Sequence, residues 1–292
     1  MKRFFHQALF IGALATVAIS CSSSDDDAPI IDDGKEQENS ISAKYKHRVL
    51  IEDFTGIWCG YCPRVAHAIE LLKESPDADN YVFGAIHNGD VLTISGTGSI
   101  ASSLWAKFKI PQADRGYPFS VINRTAPWKY PEPNNLDQAQ DLVQADGVPV
   151  GIKISSDLTT TGGNISFSVK LGQTVDDGLK YVCYVIENGI VRTDAPQSNY
   201  YEDLYGGVSK IEDFVHNDVF LKSTGNVLGT EIDAEQTKDG AELDFNNQSI
   251  SFTSQTDDIE NIEVVVMVLN KQNDVLNVRK AKANETADYE EM

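Results

Sequence analysis

The sequence predicts an α/β domain over residues 45–147, followed by an all-β, sandwich-type domain over residues 148–292. Three observations predict it. The strand-like run Arg48 to Phe54 leads through Thr55-Gly56-Ile57 into a stretch with helical periodicity. A second continuous apolar run, Val82, Phe83, Ala85 and Ile86, has the character of a strand covered on both faces. From Val148 onward the pattern changes to short alternating runs separated by Gly, Asn, Asp and Ser, the mark of half-buried strands.

The first strand spans 48–54. A helix is expected over 60–74, because Val65, Ala68, Ile69 and Leu72 fall at i, i+3, i+4 and i+7 and Ser75-Pro76 stops the pattern. A strand at 81–87, a helix at 99–108, a turn at Pro118, a strand at 119–123 and a helix at 135–145 complete the α/β domain. In the second domain, strands are expected at 151–158, 164–171, 179–187, 214–222, 249–253 and 262–269. Asn273-Asp274 reads as a hairpin turn into a last strand at 275–281. Alternation is plainest in Ile165-Ser166-Phe167-Ser168-Val169, and strands at this spacing suggest a β-sandwich.

Ahead of both domains, Met1-Lys2-Arg3, the apolar stretch Phe4 to Ile19 and then Ser20-Cys21 resemble a bacterial lipoprotein signal. Residues 1–20 would be cleaved and Cys21 would carry the acyl chains. The apolar run is short for a bilayer span of roughly 20 residues. Residues 21–44 are an acidic tether with almost nothing to bury, and the Ser22–Asp27 run also resembles a lipoprotein surface-export signal. The formal charge of −20 becomes −22 once Lys2 and Arg3 are removed. Such acidity argues against nucleic acid or an anionic lipid surface as partner.

The chemistry-bearing motif is Trp58-Cys59-Gly60-Tyr61-Cys62, at the junction of the first strand and helix. Two intervening residues let a helical turn bring the sulfurs together, and the positive end of the helix favours a thiolate. Cys59 is the expected nucleophile and Cys62 the resolving thiol. A zinc site would require two more Cys or His ligands at matching spacing, and the sequence holds no second CxxC and no clustered His pair, so neither metal nor cofactor is expected. Of the other cysteines, Cys21 goes to lipid, and Cys183, inside a strand-like run, reads as a buried apolar residue.

Asp53-Phe54 followed by Trp58-Cys59-Gly60-x-Cys62 resembles the active-site strand and helix of the thioredoxin superfamily. Residues 104–123, LWAKFKIPQADRGYPFSVIN, resemble its second signature, so that Tyr117-Pro118 would be a cis peptide facing the sulfurs. The resemblance implies a thioredoxin-like domain in which Trp58, Gly60, Tyr61, Tyr117 and Pro118 line the substrate site. Asp53 matches the buried acid that exchanges a proton with the resolving cysteine. Glu52 beside it points the other way along a strand, so either carboxylate could handle protons, and a structural ion pair is the alternative for Glu52. CGYC also resembles the motif of periplasmic disulfide isomerases. His87, at the end of the second strand, reads as a loop histidine that could approach the sulfurs, and the Tyr200, Tyr201, Tyr205 segment as a loop packed on one end of the second domain.

Taken together, the lipoprotein signal, EDFTGIWCGYCP, the Gly-Tyr-Pro turn, VHNDV around His216-Asn217 and the all-β half resemble the Bacteroidetes twenty-eight-kilodalton outer membrane lipoprotein family. That resemblance implies a thioredoxin-like domain followed by an immunoglobulin-like sandwich in the cell envelope, most simply at the outer membrane. The expected function is a lipid-anchored thiol-disulfide oxidoreductase, of reductase or isomerase type, acting on exported proteins that carry thiols or disulfides. A surface adhesin or binding lipoprotein with a structural CxxC disulfide is the alternative, and a scaffold subunit a third. Substrate, redox direction, membrane face and oligomeric state stay open.

Overall fold

Strand β1, Val49–Thr55, is buried along its whole length. Beyond the Gly56–Gly60 loop comes helix α1, Pro63–Lys73, capped by Cys62 and opened by a proline whose missing N–H costs nothing at a first helical position. The structure, a computed structural model, describes residues 43–292. The expected signal peptide, Cys21 and the tether up to residue 42 lie outside the described residues. Strand β2, Tyr81–His87, helix α2, Gly98–Lys107, strand β3, Phe119–Ile122, and the short β4, Ala126–Pro127, follow. β1 pairs in parallel with β2 and antiparallel with β3, which pairs antiparallel with β4. The Tyr117–Pro118 peptide, immediately before β3, is cis, as is Tyr130–Pro131.

The predicted face of α1 packs as read. Val65, Ala68, Ile69 and Leu72 meet Val49, Ile51, Phe83 and Ile122 on one side of the sheet, while α2 covers Leu50, Phe54, Val82 and Ile86 on the other. The helix expected at 135–145 shrinks to α3, Asp137–Gln140. Its only fully buried residue is Ala139. Leu136, Leu142 and Val143 are only partly covered, too small an apolar face to hold three turns.

The second half is almost entirely strand: β5 Val150–Thr159, β6 Gly162–Leu171, β7 Leu179–Glu187, β8 Ile190–Val191, β9 Gln197–Ser198, β10 Lys210–Ile211, β11 Val215–His216, β12 Val219–Ser223, β13 Thr230–Ile232, β14 Glu242–Ser251, β15 Ile262–Leu269 and β16 Val275–Lys282. A three-stranded sheet, β14-β6-β5, lays its apolar face on β7, β13 and β15, burying Ile154, Phe167, Val169, Val185 and Val264 between the two layers. Cys183 sits in this core and burial pushes its thiol up to about 12, so it is an apolar filler as expected.

The halves are not separate sheets. β12 pairs in parallel with β2 through Val219 and Ala85 and antiparallel with β7, giving one mixed nine-stranded sheet in the order β16-β15-β7-β12-β2-β1-β3-β4, with β13 joined to β7. The boundary expected after residue 147 is therefore crossed by backbone pairing. The core beneath α2 runs across it too, taking in Val182, Tyr184 and Ile186 of β7 and Phe220 of β12. The fold is mostly β, with one mixed sheet and a few helices. No helix among the described residues is long and apolar enough to cross a membrane.

Candidate functional site

The two sulfurs sit where β1 hands over to α1. Cys59 N–H donates to the Gly56 carbonyl at 2.9 Å and Cys62 N–H to the Cys59 carbonyl at 3.2 Å, winding the loop into a turn before the helix starts. Cys59 and Cys62 are joined by a disulfide, with Cα atoms 5.4 Å apart. Both are covered, at 3% and 2% exposure, while Trp58 and Tyr61 beside them stand out at 47% and 53%. The Trp58 ring meets Tyr117 edge-on at 5.9 Å, and Tyr117 in turn meets Trp105, so two of the residues expected at a substrate edge, Trp58 and Tyr117, lie together.

The adjacent carboxylates separate as alternation requires. Asp53 is fully buried and lines a cavity behind Cys62, and its Oδ1 has no hydrogen-bond partner among the described residues. Burial holds its carboxyl well above the usual range; Glu132 adds to the effect and Arg64 opposes it. Glu52 faces the other way. Its two oxygens accept from Arg124 at 2.7 and 2.8 Å in a buried bidentate pair, and it lines no part of that cavity. Of the two readings of Glu52, the structural ion pair is the one its contacts match, its charge being engaged in holding Arg124.

Sequence reading missed what covers the loop. In the excursion between β7 and β12, Ser198 N–H donates to the Ile57 carbonyl and Tyr200 N–H to the Gly60 carbonyl, both at 2.8 Å. The buried Gln197 amide donates to the Cys59 carbonyl at 3.0 Å. Tyr61 packs edge-on against Tyr200 and Tyr201, whose hydroxyl bonds Arg64. Arg64 also holds the buried Glu132. The tyrosine segment assigned to an end of the second half thus lies over the CGYC turn. Its contacts span some 140 residues of chain, and no local pattern announces them.

On the other flank Asp90 pins the loop. Its Oδ2 accepts from Ile57 N–H at 2.8 Å and contacts His87 Nδ1 at 2.7 Å. His87 is buried rather than a free loop histidine and stacks edge-on with His216 of β11, ring centres 5.2 Å apart. In sequence His216 carries no signal beyond the VHNDV motif. Burial, then the neighbouring His87, pushes its imidazole down to about 3.

Comparison with known proteins bears on what this site belongs to. Residues 112–287, more than half of the chain, match the family described as Outer membrane protein Omp28. The chain belongs to the Omp28 family. This places it in the cell envelope, at the outer membrane. The Omp28 match begins beyond Cys59 and Cys62, so the family shows the identity of the chain without covering that cysteine pair. A thioredoxin from Ictalurus punctatus is 33% identical over 63 residues, 20% of this chain and 59% of that protein, so less than two thirds of that thioredoxin is spanned. Among solved structures, HBP35 of Porphyromonas gingivalis is similar in fold, with a TM-score of 0.58 and 19% identity over 83% of this chain and 77% of that one. The Omp28 chain is thus similar to a thioredoxin locally and to HBP35 over most of its length.

Proposed function

We propose that this Omp28-family chain is a thiol-disulfide oxidoreductase, anchored to the outer membrane through a lipidated Cys21 and acting on exported proteins. The observation that carries the reading is the Cys59–Cys62 pair at the start of α1, with a buried Asp53 carboxyl of raised pKa lining the cavity behind Cys62. In the reduced enzyme the positive end of α1 favours the Cys59 thiolate. That thiolate attacks a substrate disulfide, forming a mixed disulfide and releasing one substrate thiolate. Cys62 then gives its proton to Asp53 and displaces the substrate sulfur from Cys59. Two electrons pass from the enzyme dithiol to the substrate disulfide. The same steps in reverse oxidise a substrate dithiol, and attack with release in sequence isomerises one.

Trp58, Gly60, Tyr61, Tyr117 and Pro118 form the edge along which an extended substrate segment would lie. The two packed β layers of the second half we read as an immunoglobulin-like sandwich, fused through β12 to the thioredoxin-like unit so that the two turn together.

A second reading has its own observation. The sulfurs are nearly inaccessible and the Gln197–Tyr201 segment is hydrogen-bonded over them, as suits a structural disulfide in a binding lipoprotein. Refolding of a disulfide-scrambled protein, with and without the chain and its Cys59→Ser variant, separates the two. Acceleration lost in the variant supports the oxidoreductase; equal rates with both support the binding protein.

A further inference from the structure

The cavity behind Cys62 is elongated along α1. Cys62, Pro63, Ala66, Ile69, Glu70 and Lys73 line it on successive turns, and the stretch of chain from Cys62 to Lys73 covers roughly 16 Å at 1.5 Å per residue. Its opposite wall is Asp53 and Thr55 of β1, Ala85 and His87 of β2, and the run Phe214 to Asp218 that leads into β12. The volume is about 60 Å³, several times the space one water requires. Two carboxylates on this wall, Asp53 and Asp218, are buried, and each has an Oδ1 with no partner among the described residues. Ala66 and Ala85 are only partly buried, so solvent reaches the wall from outside. At the far end Lys73 Nζ binds Asp218 Oδ2 at 2.5 Å, with a third of its own side chain exposed.

We propose that His216 and Asp218, contributed by the C-terminal half, complete a water-filled proton path that runs along α1 from Cys62 and Asp53 to the surface at Lys73. The inference rests on the redox reading of Cys59 and Cys62 and gives it a route for the proton it generates. When Cys62 attacks the mixed disulfide, its S–H proton passes to the Asp53 carboxylate, the Cys59–Cys62 bond forms and the substrate thiolate leaves. Asp53 then loses that proton through cavity water toward His216, Asp218 and solvent. In reduction of the enzyme the steps reverse: Cys62 departs as a thiolate and takes the proton from Asp53, which is refilled from outside. Buried carboxylate oxygens without a protein donor need water, and a chain of waters is what moves a proton between them. The charged and titratable groups around Asp53 are Arg64 of α1 with its partner Glu132, His87 and Asp90 by β2, His216 and Asp218 opposite, and Glu70 and Lys73 at the mouth. His216 and Asp218 act as positioning residues, touching neither sulfur nor substrate in the chemistry described.

The test uses the full chain and reduction of its own disulfide by dithiothreitol, followed by alkylation at Cys59 and Cys62, from pH 5 to 9 in H₂O and D₂O. Two variants alter the path differently: Asp218→Asn removes a carboxylate, and Ala66→Leu plugs the cavity while leaving every polar group in place. The proposal expects both to slow reduction on the acidic limb by about tenfold, below the ~100-fold contribution of a direct proton donor, and to enlarge the solvent isotope effect. Unchanged pH profiles and isotope effects in both variants overturn it. A change confined to Asp218→Asn also overturns it, since that reports charge and not a path. Because no protein substrate is present, failure of the chain to refold a scrambled protein would refute the oxidoreductase reading without altering this result.

Discussion

The ring of Tyr200 lies against the α-carbon of Gly60, so close that a β-carbon at residue 60 would fall 2.5 Å from it. The glycine between the cysteines therefore admits an aromatic side chain from the other half of the chain. Substituting Gly60→Ala forces Tyr200 away, and overpacking of this kind costs about 1–3 kcal/mol. Denaturant unfolding should show that loss in Gly60→Ala and a smaller one when the same substitution is made in a Tyr200→Ala background. A loss undiminished in that background would mean the two residues do not press on one another.

Removing the side chain that fastens the covering segment should expose the thiols. Gln197→Ala removes one of the two donors to the Cys59 carbonyl, the other being Cys62 N–H, a net hydrogen bond worth about 0.5–1.5 kcal/mol. Alkylation of Cys59 in the reduced protein is expected to quicken relative to the parent. Unaltered alkylation would show that the segment does not control access.

The neighbouring acids should behave in opposite ways. Glu52→Gln leaves the buried Arg124 without its counter-charge, and breaking such a pair costs about 3–5 kcal/mol. Thiol exchange at matched folded fraction should be unaffected. An altered pH profile of exchange with intact stability would return the proton role to Glu52.

Asp53→Asn should stabilise the fold near neutral pH. The Asp53 carboxyl ionises at higher pH folded than unfolded, so the unfolded chain sheds its proton first and stability falls as pH rises above the ordinary carboxylate range. An asparagine has no proton to lose. Unfolding curves at pH 7 should favour Asp53→Asn, and the advantage should vanish at pH 3. A less stable variant at pH 7 would contradict the assignment of an unfavourable buried charge.

His216 has the reverse sign. Its imidazole titrates near 3 in the fold but near 6.5 when unfolded, so the unfolded chain takes up the proton first as pH falls through that window. Stability should decline from pH 6.5 toward 4 by at most about 1.4 kcal/mol per pH unit for this residue. His47, pushed down to about 4 by its own burial, adds a second such loss. The decline should be shallower in His216→Gln, and an identical slope would exclude His216 as a source.

What could be read from sequence was what local spacing encodes. Val65, Ala68, Ile69 and Leu72 declared their helix face, the runs around Val169 and Val265 declared strands, and the Cys59–Cys62 spacing and the Tyr117-Pro118 pair announced the disulfide and the cis peptide that the structure contains. What could not be read was set by contacts distant along the chain. Nothing around Val219 says that β12 will pair with Ala85 and weld two expected domains into one sheet. Gln197 and Tyr200 sit in a polar loop whose partners, Cys59 and Gly60, lie far upstream, and the two-residue strands β8 to β11 are too short to alternate visibly. Glu52 looked like a second catalytic acid because its partner, Arg124, arrives from a turn with no signature of its own.

The central claim is that Cys59 and Cys62 form a redox-active pair. Equilibrating the full chain with glutathione or dithiothreitol buffers, and reading the oxidised fraction by mass after alkylation, gives its reduction potential. The account predicts a value between about −120 and −270 mV, the span of catalytic dithiols, whereas a value below about −300 mV would mark a structural disulfide and contradict it.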